Sequence, residues 1–260
     1  MKIWSVDAFA SKPYTGNPAA VTIVEEFPSD EVCQKIAAEI NLSETAFVKP
    51  LGSNHFHIRW FTPAVEVKLC GHATLAATHI LLQEDLVNNA PINFDSLSGI
   101  LQTQKTAQGI TLNFPLQATG PRLEHESFND LFGNQIVTIE KAFDDVIVEL
   151  NDEKNIYDFV PVIEKINQID CRGLIITARG KNKYDFISRF FGPRVGVAED
   201  PVTGSAHCKL AYYWQQRLKK NNFLAYQASK RGGELILEIN DDRVLMTGSA
   251  ITISCGNWLV

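Results

Sequence analysis

The chain has 260 residues, of which 45% are hydrophobic, with 24 basic and 30 acidic side chains. This composition can form a sizeable core without disulfide or metal staples. The net charge of −6 argues against a nucleic-acid-binding protein, which needs clustered Lys and Arg, and no apolar run reaches the roughly 18–20 residues of a membrane span. The five cysteines do not suggest a disulfide framework, and the N-terminus predicts a strand instead of a signal peptide. We therefore expect a cytoplasmic, globular protein.

The N-terminal half alternates short strands with two helices. Its strands are predicted at Ile3–Phe9, Ala19–Val24, Thr45–Lys49, His55–Phe61, Ile100–Gln104 and Ile110–Phe114. A helix is expected over Ser29–Glu39, capped by its serine, with Val32, Ile36 and Ile40 as its buried stripe. His72–Leu82 is apolar on nearly every side, which predicts a helix enclosed by other elements.

The C-terminal half repeats this scheme. Its strands are predicted at Val146–Leu150, Leu174–Thr177, Glu234–Glu238 and Val244–Thr247. Helices are expected over 155–169, which Pro161 makes uncertain, and from Ser205 to about Lys219. Proline and glycine cluster within 115–121, so we place the boundary there. This gives an N-terminal half of residues 1–117 and a C-terminal half of residues 118–260, whose last strand could pack back on the N-terminal half.

Three markers recur in the same order along the chain and suggest a duplicated half. The segment that begins at Arg59 is echoed by the one that begins at Arg189, the loop at Gly71 is echoed at Gly204, and Gly99 is echoed by Gly233. The spacing between the copies is nearly constant, and such self-similarity predicts two related units. Many short strands with one enclosed helix per half indicate two curled sheets, each wrapped around its own helix.

The repeated glycine loops are candidate binding elements. Each loop, at Gly71 and at Gly204, lies at the start of a predicted helix, where free backbone N–H groups favour anions. Two such helix starts could clamp a small molecule that carries a carboxylate. A purely structural alternative is that both glycines allow tight turns and that Ser205 caps its helix.

Two acidic residues are candidates for proton transfer. Glu44 lies between an amphipathic helix and an apolar strand, where a carboxyl group is suited to general acid–base work. Asp200 lies beside the second glycine loop. The alternatives are an exposed loop glutamate and an ordinary Asp-Pro turn.

Among the histidines, His72 has the strongest case, because its glycine loop could let the ring change protonation near neutral pH. His55 and His57 share one face of a strand, but no third metal ligand stands nearby in the sequence. His79 is expected in the core. We expect no nucleotide cofactor, because neither a dinucleotide-binding nor a phosphate-binding glycine motif is present.

A hydrolytic triad of Asp200, Ser205 and His207 is rejected. Ser205 and His207 are two positions apart at a helix start, so they do not face each other. Cys70 and Cys208 lie beside the two loops and could form the acid–base pair of a racemase. Their positions relative to the two glycines differ, and buried structural cysteine is the competing interpretation.

Taken together, six motifs resemble the PhzF-like (phenazine biosynthesis-type) isomerase family. They are Asp7-Ala8-Phe9, the segment 16–21 (Gly-Asn-Pro-Ala-Ala-Val), the segment 42–47 (Leu-Ser-Glu-Thr-Ala-Phe), Phe61-Thr62-Pro63 with Glu66-Val67, the segment 69–74 (Leu-Cys-Gly-His-Ala-Thr) and the segment 199–206 (Glu-Asp-Pro-Val-Thr-Gly-Ser-Ala). The resemblance implies an α+β fold of the diaminopimelate-epimerase-like type. Such a fold has two pseudo-symmetric halves, each a curled, barrel-like, mostly antiparallel sheet around a central helix, with the active site in the cleft.

The resemblance also implies acid–base chemistry without cofactor or metal, and a homodimer. Founding members of the family isomerise trans-2,3-dihydro-3-hydroxyanthranilate. The family's catalytic residues fall on Glu44, His72, Asp200 and Ser205, and its substrate-binding positions are expected at Asn17, Ser43, Gly71, Thr203 and Gly204. The expected partner is a small substrate that carries a carboxylate, with neither nucleic acid nor membrane. The alternatives are a two-cysteine racemase or epimerase that uses Cys70 and Cys208, and a non-catalytic small-molecule-binding protein.

Overall fold

The structure is a computed structural model that describes residues 1–124 and 128–259. The chain divides into two compact units, one formed by residues 1–114 with 245–260 and the other by residues 115–244. The predicted halves of 1–117 and 118–260 stay a prediction. Within the described residues, no helix combines the length and the apolar character that a membrane crossing requires.

The first unit is built from short strands and two helices. In chain order these are β1 (Lys2–Ala8), β2 (Asn17–Ile23), α1 (Asp30–Ile40), β3 (Glu44–Gly52), β4 (His55–Phe61), β5 (Glu66–Val67), α2 (Gly71–Gln83), β6 (Ile92–Ser96), β7 (Gly99–Thr106) and β8 (Gly109–Pro115). β1 pairs antiparallel with β2 and with the last strand of the chain, Ala250–Asn257, and β2 pairs parallel with β3. β3 pairs antiparallel with β4, which pairs antiparallel with β5 and parallel with β6; β6, β7 and β8 follow antiparallel.

Helix α2 is the centre of the first unit. It packs against β1, β2, β3 and the last strand, and Ala73, Ala76 and Ala77 are fully buried. Two threonines interrupt its apolar surface, but their hydroxyls donate to backbone carbonyls one turn earlier, Thr74 to Cys70 at 2.6 Å and Thr78 to Thr74 at 2.9 Å. These bonds satisfy the polar groups inside the helix itself, so α2 can be enclosed as its sequence predicts.

The second unit repeats the strand order of the first. Its elements are α3 (Asn129–Phe132), β9 (Ile136–Ala142), β10 (Asp145–Leu150), α4 (Glu153–Tyr157), α5 (Ile163–Gln168), β11 (Gly173–Arg179), β12 (Phe186–Gly192), β13 (Val197–Asp200), α6 (Gly204–Leu218), β14 (Asn222–Gln227) and β15 (Gly233–Asn240). They are followed by β16 (Arg243–Gly248), in which the boundary of the unit falls, and β17 (Ala250–Asn257) in the first unit. β9–β10, β11–β12, β12–β13 and β14–β15 are antiparallel pairs, and β10–β11 and β12–β14 are parallel.

The pairing pattern is the same in both units, element by element, which agrees with a duplicated half. An internal ion pair is repeated with it. In the first unit, Arg59 binds Glu66 through Nε and Nη2, both at 2.8 Å. In the second unit, Arg189 binds Glu199 at 2.7 and 3.0 Å. Arg59 lies on β4 and Glu66 on the short strand β5 that follows it. Arg189 and Glu199 occupy the corresponding strands of the second unit, β12 and β13.

Two local predictions need correction. Val32 is 44% exposed, and the buried face of α1 is formed by Cys33, Ile36 and Ala37. The helix turns by about 100° per residue, so the sheet covers the side that begins one position later. The helix predicted over 155–169 is two short helices, α4 and α5, because Pro161 in the intervening segment cannot donate a helical hydrogen bond.

Candidate functional site

In the first unit, three chain segments bring the predicted site residues together. Glu44 opens β3, and Ala19 of β2 is its partner across the parallel pair. Asn17 opens β2 directly after Gly16, whose φ of +70° and close approach to the Ala8 carbonyl exclude a side chain. His72 is the second residue of α2. The strand order therefore places a carboxyl group, an amide and an imidazole at one edge of the sheet.

These side chains form a continuous network. Glu44 Oε2 lies 2.8 Å from His72 Nε2, and the two side chains are 17% and 6% exposed. On the other side of the ring, Asn17 Nδ2 lies 3.2 Å from His72 Nδ1. The Ser43 hydroxyl donates to Asn17 Oδ1 at 2.9 Å. Both ring nitrogens of His72 thereby have a polar neighbour, which sets the direction in which the imidazole meets Glu44.

The charge of His72 is set by opposing effects. Burial disfavours the imidazolium, but Cys70, whose sulfur lies 3.6 Å from Nδ1, and Glu44 favour it, so that the pKa of His72 rises well above its ordinary value. Burial also raises the pKa of the Cys70 thiol to about 11, so at neutral pH this group is an uncharged thiol. Glu44 is the other side chain that favours the imidazolium.

As oriented, the Asn17 amide N–H faces His72 Nδ1, which matches a neutral imidazole that carries its proton on Nε2, on the side of Glu44. An imidazolium needs an acceptor at Nδ1, and the amide presents one only where its oxygen and nitrogen exchange places.

In the second unit, a buried glutamine organises the loop that contains Asp200. Thr203 donates its hydroxyl to Asp200 Oδ2 at 2.6 Å and its backbone N–H to Gln227 Oε1 at 2.8 Å. Gln227 in turn donates to the Asp200 carbonyl at 2.6 Å. The sequence analysis missed Gln227; its signal is an amide at the end of the otherwise mostly apolar strand β14.

Ser205 does not cap its helix. α6 begins at Gly204 with Thr203 as the N-cap, so Ser205 is the second helical residue, the place that His72 occupies in α2. Its hydroxyl accepts a hydrogen bond from Arg172 Nη2 at 3.2 Å. Neither Cys70 nor Thr203 caps its helix with a side chain, so the backbone N–H groups that follow Gly71 and Gly204 in each helix lack that partner and suit an anion.

The remaining histidines have structural surroundings. His55 Nε2 lies 3.0 Å from Asp95, and the His57 ring packs edge-on against Phe27. The His79 ring contacts Thr252 at 3.1 Å. His207 Nδ1 donates to the Thr203 carbonyl at 2.8 Å, and burial lowers the pKa of His207 to about 4. These contacts agree with the rejection of a Ser205–His207 triad.

The two cysteines of the alternative mechanism are poor acids in their surroundings. Burial raises the pKa of Cys208 to about 12 and that of Cys70 to about 11. A thiolate is the reactive form, so neither side chain is prepared to remove a proton near neutral pH.

Within the described residues, one group of side chains has the composition of a metal site. The ligand atoms of Glu44, Cys70 and His72 all lie within 4.8 Å of one another. Carboxylate, thiolate and imidazole are ligands that Zn²⁺ accepts. The same atoms could therefore share protons or bind a cation. A bound cation would lie between the Glu44 carboxylate and the His72 ring and would break their direct contact.

The comparisons with known proteins agree with these motifs. The model of the family described as phenazine biosynthesis-like protein (PhzC-PhzF) matches residues 6–256. The chain belongs to this family. A protein of Halalkalibacterium halodurans that is described as an uncharacterized isomerase is 46% identical over 256 residues, which cover 96% of each chain.

Solved structures of the PhzF family show the same fold. The crystal structure of a phenazine biosynthesis protein of the PhzF family from Enterococcus faecalis has a TM-score of 0.92 at 38% identity and covers 99% of each chain. A probable proline racemase from Agrobacterium radiobacter has a TM-score of 0.68 at 10% identity over 100% of this chain and 93% of its own, which extends the likeness of fold only. The predicted α+β, diaminopimelate-epimerase-like fold and the resemblance to PhzF-like proteins are confirmed.

The raised pKa of His72 in this family member makes a prediction for stability. A raised folded-state pKa means that the native state binds the proton more tightly, so the contribution is complete below the unfolded pKa of about 6.5 and is lost as pH rises through the folded value. Glu44→Gln should therefore lower the free energy of unfolding by about 1–3 kcal/mol at the acidic end of the range, with a smaller loss at alkaline pH. Urea unfolding of both proteins from about pH 5.5 to about pH 10 measures this difference. A difference that stays constant over the whole range would contradict the ion pair.

Proposed function

We propose that this protein is an isomerase that moves a proton between two carbon atoms of a small substrate that carries a carboxylate. Glu44 is its acid–base group. The observation that carries the proposal is the contact between Glu44 Oε2 and His72 Nε2 at 2.8 Å, in a site where both side chains are largely removed from water. The isomerase name of the relative from H. halodurans supports the same reaction class.

The geometry suggests how the reaction would proceed. One carboxylate oxygen of Glu44 is paired with His72, which leaves the other oxygen to take a proton from a substrate carbon. The electron pair of the broken C–H bond moves into the conjugated system of the substrate, and Glu44 returns the proton to another carbon. One C–H bond breaks and one forms, so no oxidant or reductant is needed. General acid–base catalysis of this kind contributes about 10²–10⁴-fold.

The carboxylate of the substrate needs a binding group of its own. Ser205 and the backbone N–H of Gly204 are the predicted donors, and Asp200 is the predicted partner for a polar substituent. Their roles are carried over from the resemblance to PhzF-like proteins. The hydrogen bonds of Thr203 and Gln227 that hold the Asp200 loop in place support a functional use of this loop.

Glu44→Gln tests the proposal directly. The amide keeps the size of the side chain and can accept a hydrogen bond from His72, but it cannot take a proton from carbon. We expect deuterium incorporation from D₂O into trans-2,3-dihydro-3-hydroxyanthranilate, or into another ring carboxylate or amino acid found by screening, to fall by about 10²-fold or more. Mass spectrometry and NMR measure the incorporation.

The control for this experiment is Glu39→Gln. Glu39 is an exposed glutamate near the end of α1, and its loss should leave the exchange rate unchanged. Retained exchange in Glu44→Gln would remove Glu44 from the mechanism. Binding of a substrate by the wild type without any exchange would favour the non-catalytic alternative.

The two-cysteine alternative gives the opposite result in a cysteine variant. Because the pKa values of about 11 and about 12 make Cys70 and Cys208 uncharged at neutral pH, a Cys70→Ser, Cys208→Ser double variant should keep exchange within about tenfold of the wild type. A racemase that uses both thiols would lose about 10²–10⁴-fold or more. The same deuterium assay, run with a thermal unfolding curve to confirm folding, separates the two.

The reaction should also run without a metal. Dialysis against a chelator is expected to leave the exchange rate unchanged, whereas added Zn²⁺ should inhibit because it binds Glu44, Cys70 and His72 in place of the shared proton. Exchange rates with chelator, with Zn²⁺ and with Mg²⁺ as the control for a hard cation measure this. Activity that is lost with the chelator and restored by Zn²⁺ would show that the cluster is a metal centre.

A further inference from the structure

The two units carry different chemistry at the same structural position. Glu44 pairs with Ala19 at the start of the parallel pair in the first unit, and Gly173 pairs with Asp145 at the corresponding place in the second. A Cβ at Gly173 would meet the Phe190 ring at 2.2 Å and Asp145 Oδ1 at 3.0 Å. No carboxyl side chain fits there, so the second unit lacks the counterpart of Glu44.

An arginine takes over this edge in the second unit. Arg172 directly precedes Gly173 and donates from Nη2 to Asp145 Oδ2 at 2.6 Å and to Ser205 Oγ at 3.2 Å. Its Nε lies 2.8 Å from Asp144 Oδ2, and the guanidinium lies over the Phe190 ring. In the first unit, Glu44 at the start of β3 contacts His72 of α2. In the second unit, Arg172 just before β11 contacts Ser205 of α6.

The charges around Arg172 are balanced. Lys209, 2% exposed, binds Asp144 Oδ1 at 2.6 Å and also binds Asp145, whose side chain is fully buried. Two cations thus face two carboxylates, and the cluster has no net charge. The two aspartates of this cluster bind the Arg172 guanidinium, and Arg172 Nη2 also contacts Ser205.

The direction of the Arg172–Ser205 hydrogen bond has a chemical consequence. A guanidinium has only donors, whereas a hydroxyl has one donor and two acceptor lone pairs. Since Ser205 Oγ accepts from Arg172, the Ser205 O–H is left to donate to another group. A carboxylate has only acceptors, so a hydroxyl held in this way suits it.

We infer that Arg172 is a positioning residue that orients the Ser205 hydroxyl as a donor to the substrate carboxylate. The inference rests on the proposed function, because it assigns the carboxylate to Ser205. It adds a residue outside the six motifs and gives the second unit a defined role.

Two probes that differ by one group test this role. One is 3-hydroxyanthranilate, the aromatic counterpart of the dihydro substrate, and the other is 2-aminophenol, the same ring without the carboxylate. Arg172→Lys keeps the positive charge but cannot hold Asp144, Asp145 and Ser205 in one planar fork. We expect it to reduce the preference for the acid by roughly tenfold, which is the size expected for a hydrogen bond to a charged group. Calorimetric or NMR titration measures both dissociation constants.

A purely structural role for Arg172 would weaken both probes alike, so the ratio of the two constants is the decisive readout. In a Ser205→Ala background, Arg172→Lys should change the ratio no further. Asp144→Asn, which loosens the guanidinium at the partly exposed side of the cluster, should lower the ratio in the same direction. Its milder change keeps the test valid if Arg172→Lys folds poorly.

The matched control is Arg217→Lys. Arg217 is another arginine of the second unit that binds two carboxylates, Glu140 and Glu149, both at 2.8 Å. It lies in the last turn of α6, about 18 Å from Ser205 along the helix axis. The ratio should not change in this variant.

Each outcome has a distinct meaning. A ratio that falls in Ser205→Ala but not in Arg172→Lys or Asp144→Asn overturns this inference alone. A ratio that Ser205→Ala leaves unchanged, or no binding of the acid to the wild type, overturns the inference together with the carboxylate assignment. Loss of proton exchange in Glu44→Gln is measured separately, so failure of the proton-transfer proposal can be told from failure of the role of Arg172.

Discussion

The proposed function depends on one interaction, the contact between Glu44 and His72. The two side chains lie 2.8 Å apart, both are largely buried, and Glu44 helps to favour the imidazolium form of His72. The rest of the first unit serves this contact. β2 and β3 run parallel and start at the same edge, α2 begins at that edge, and Asn17 with Ser43 holds the far side of the ring.

The duplicated scaffold explains how one architecture can support two roles. Both units use the same kinds of strand pairs, an arginine–glutamate pair at the same place and a helix that begins at a glycine. What differs is the small set of side chains at the start of the parallel pair. Glu44 and His72 occupy it in the first unit, and Gly173, Arg172 and Ser205 occupy it in the second. Backbone topology therefore fixes where side chains converge, while the residue types decide which chemical groups each place contains.

The second unit also shows how a buried charge can be tolerated. Lys209 and Asp145 are almost fully buried, and an isolated charge at such a place would cost several kcal/mol. The cluster with Asp144 and Arg172 balances the charges, although Asp145 Oδ1 and Arg172 Nε are buried without a hydrogen-bond partner among the described residues. Removal of one member leaves an uncompensated charge, so this cluster constrains which substitutions the unit can accept.

The sequence alone determined the motifs, the repeat and most of the strands and helices. Periodicity and capping signals are local, so α1, α2 and α6 and the strands beside them follow from the residue pattern. Resemblance over six motifs was specific enough to identify the family and its fold. The local pattern gave a wrong prediction at Val32, because the tertiary structure decides which side of a helix the sheet covers. It was also wrong at 155–169, where one proline divides the predicted helix into two.

Only the tertiary structure decided the surroundings of the site. Strand pairing between distant segments brings His72 into contact with Glu44, Asn17 and Cys70. It also places Ser205 where its hydroxyl accepts a hydrogen bond from Arg172 instead of capping its helix. In the same way it places Gln227 where its side chain holds the Asp200 loop. The pKa values of His72 and Cys70 also depend on the tertiary structure, because burial and nearby charged groups shift them from the values that the residue types alone would give. The sequence supplied the reactive groups, and the parallel strand pairs that begin at one edge of each sheet brought them into contact.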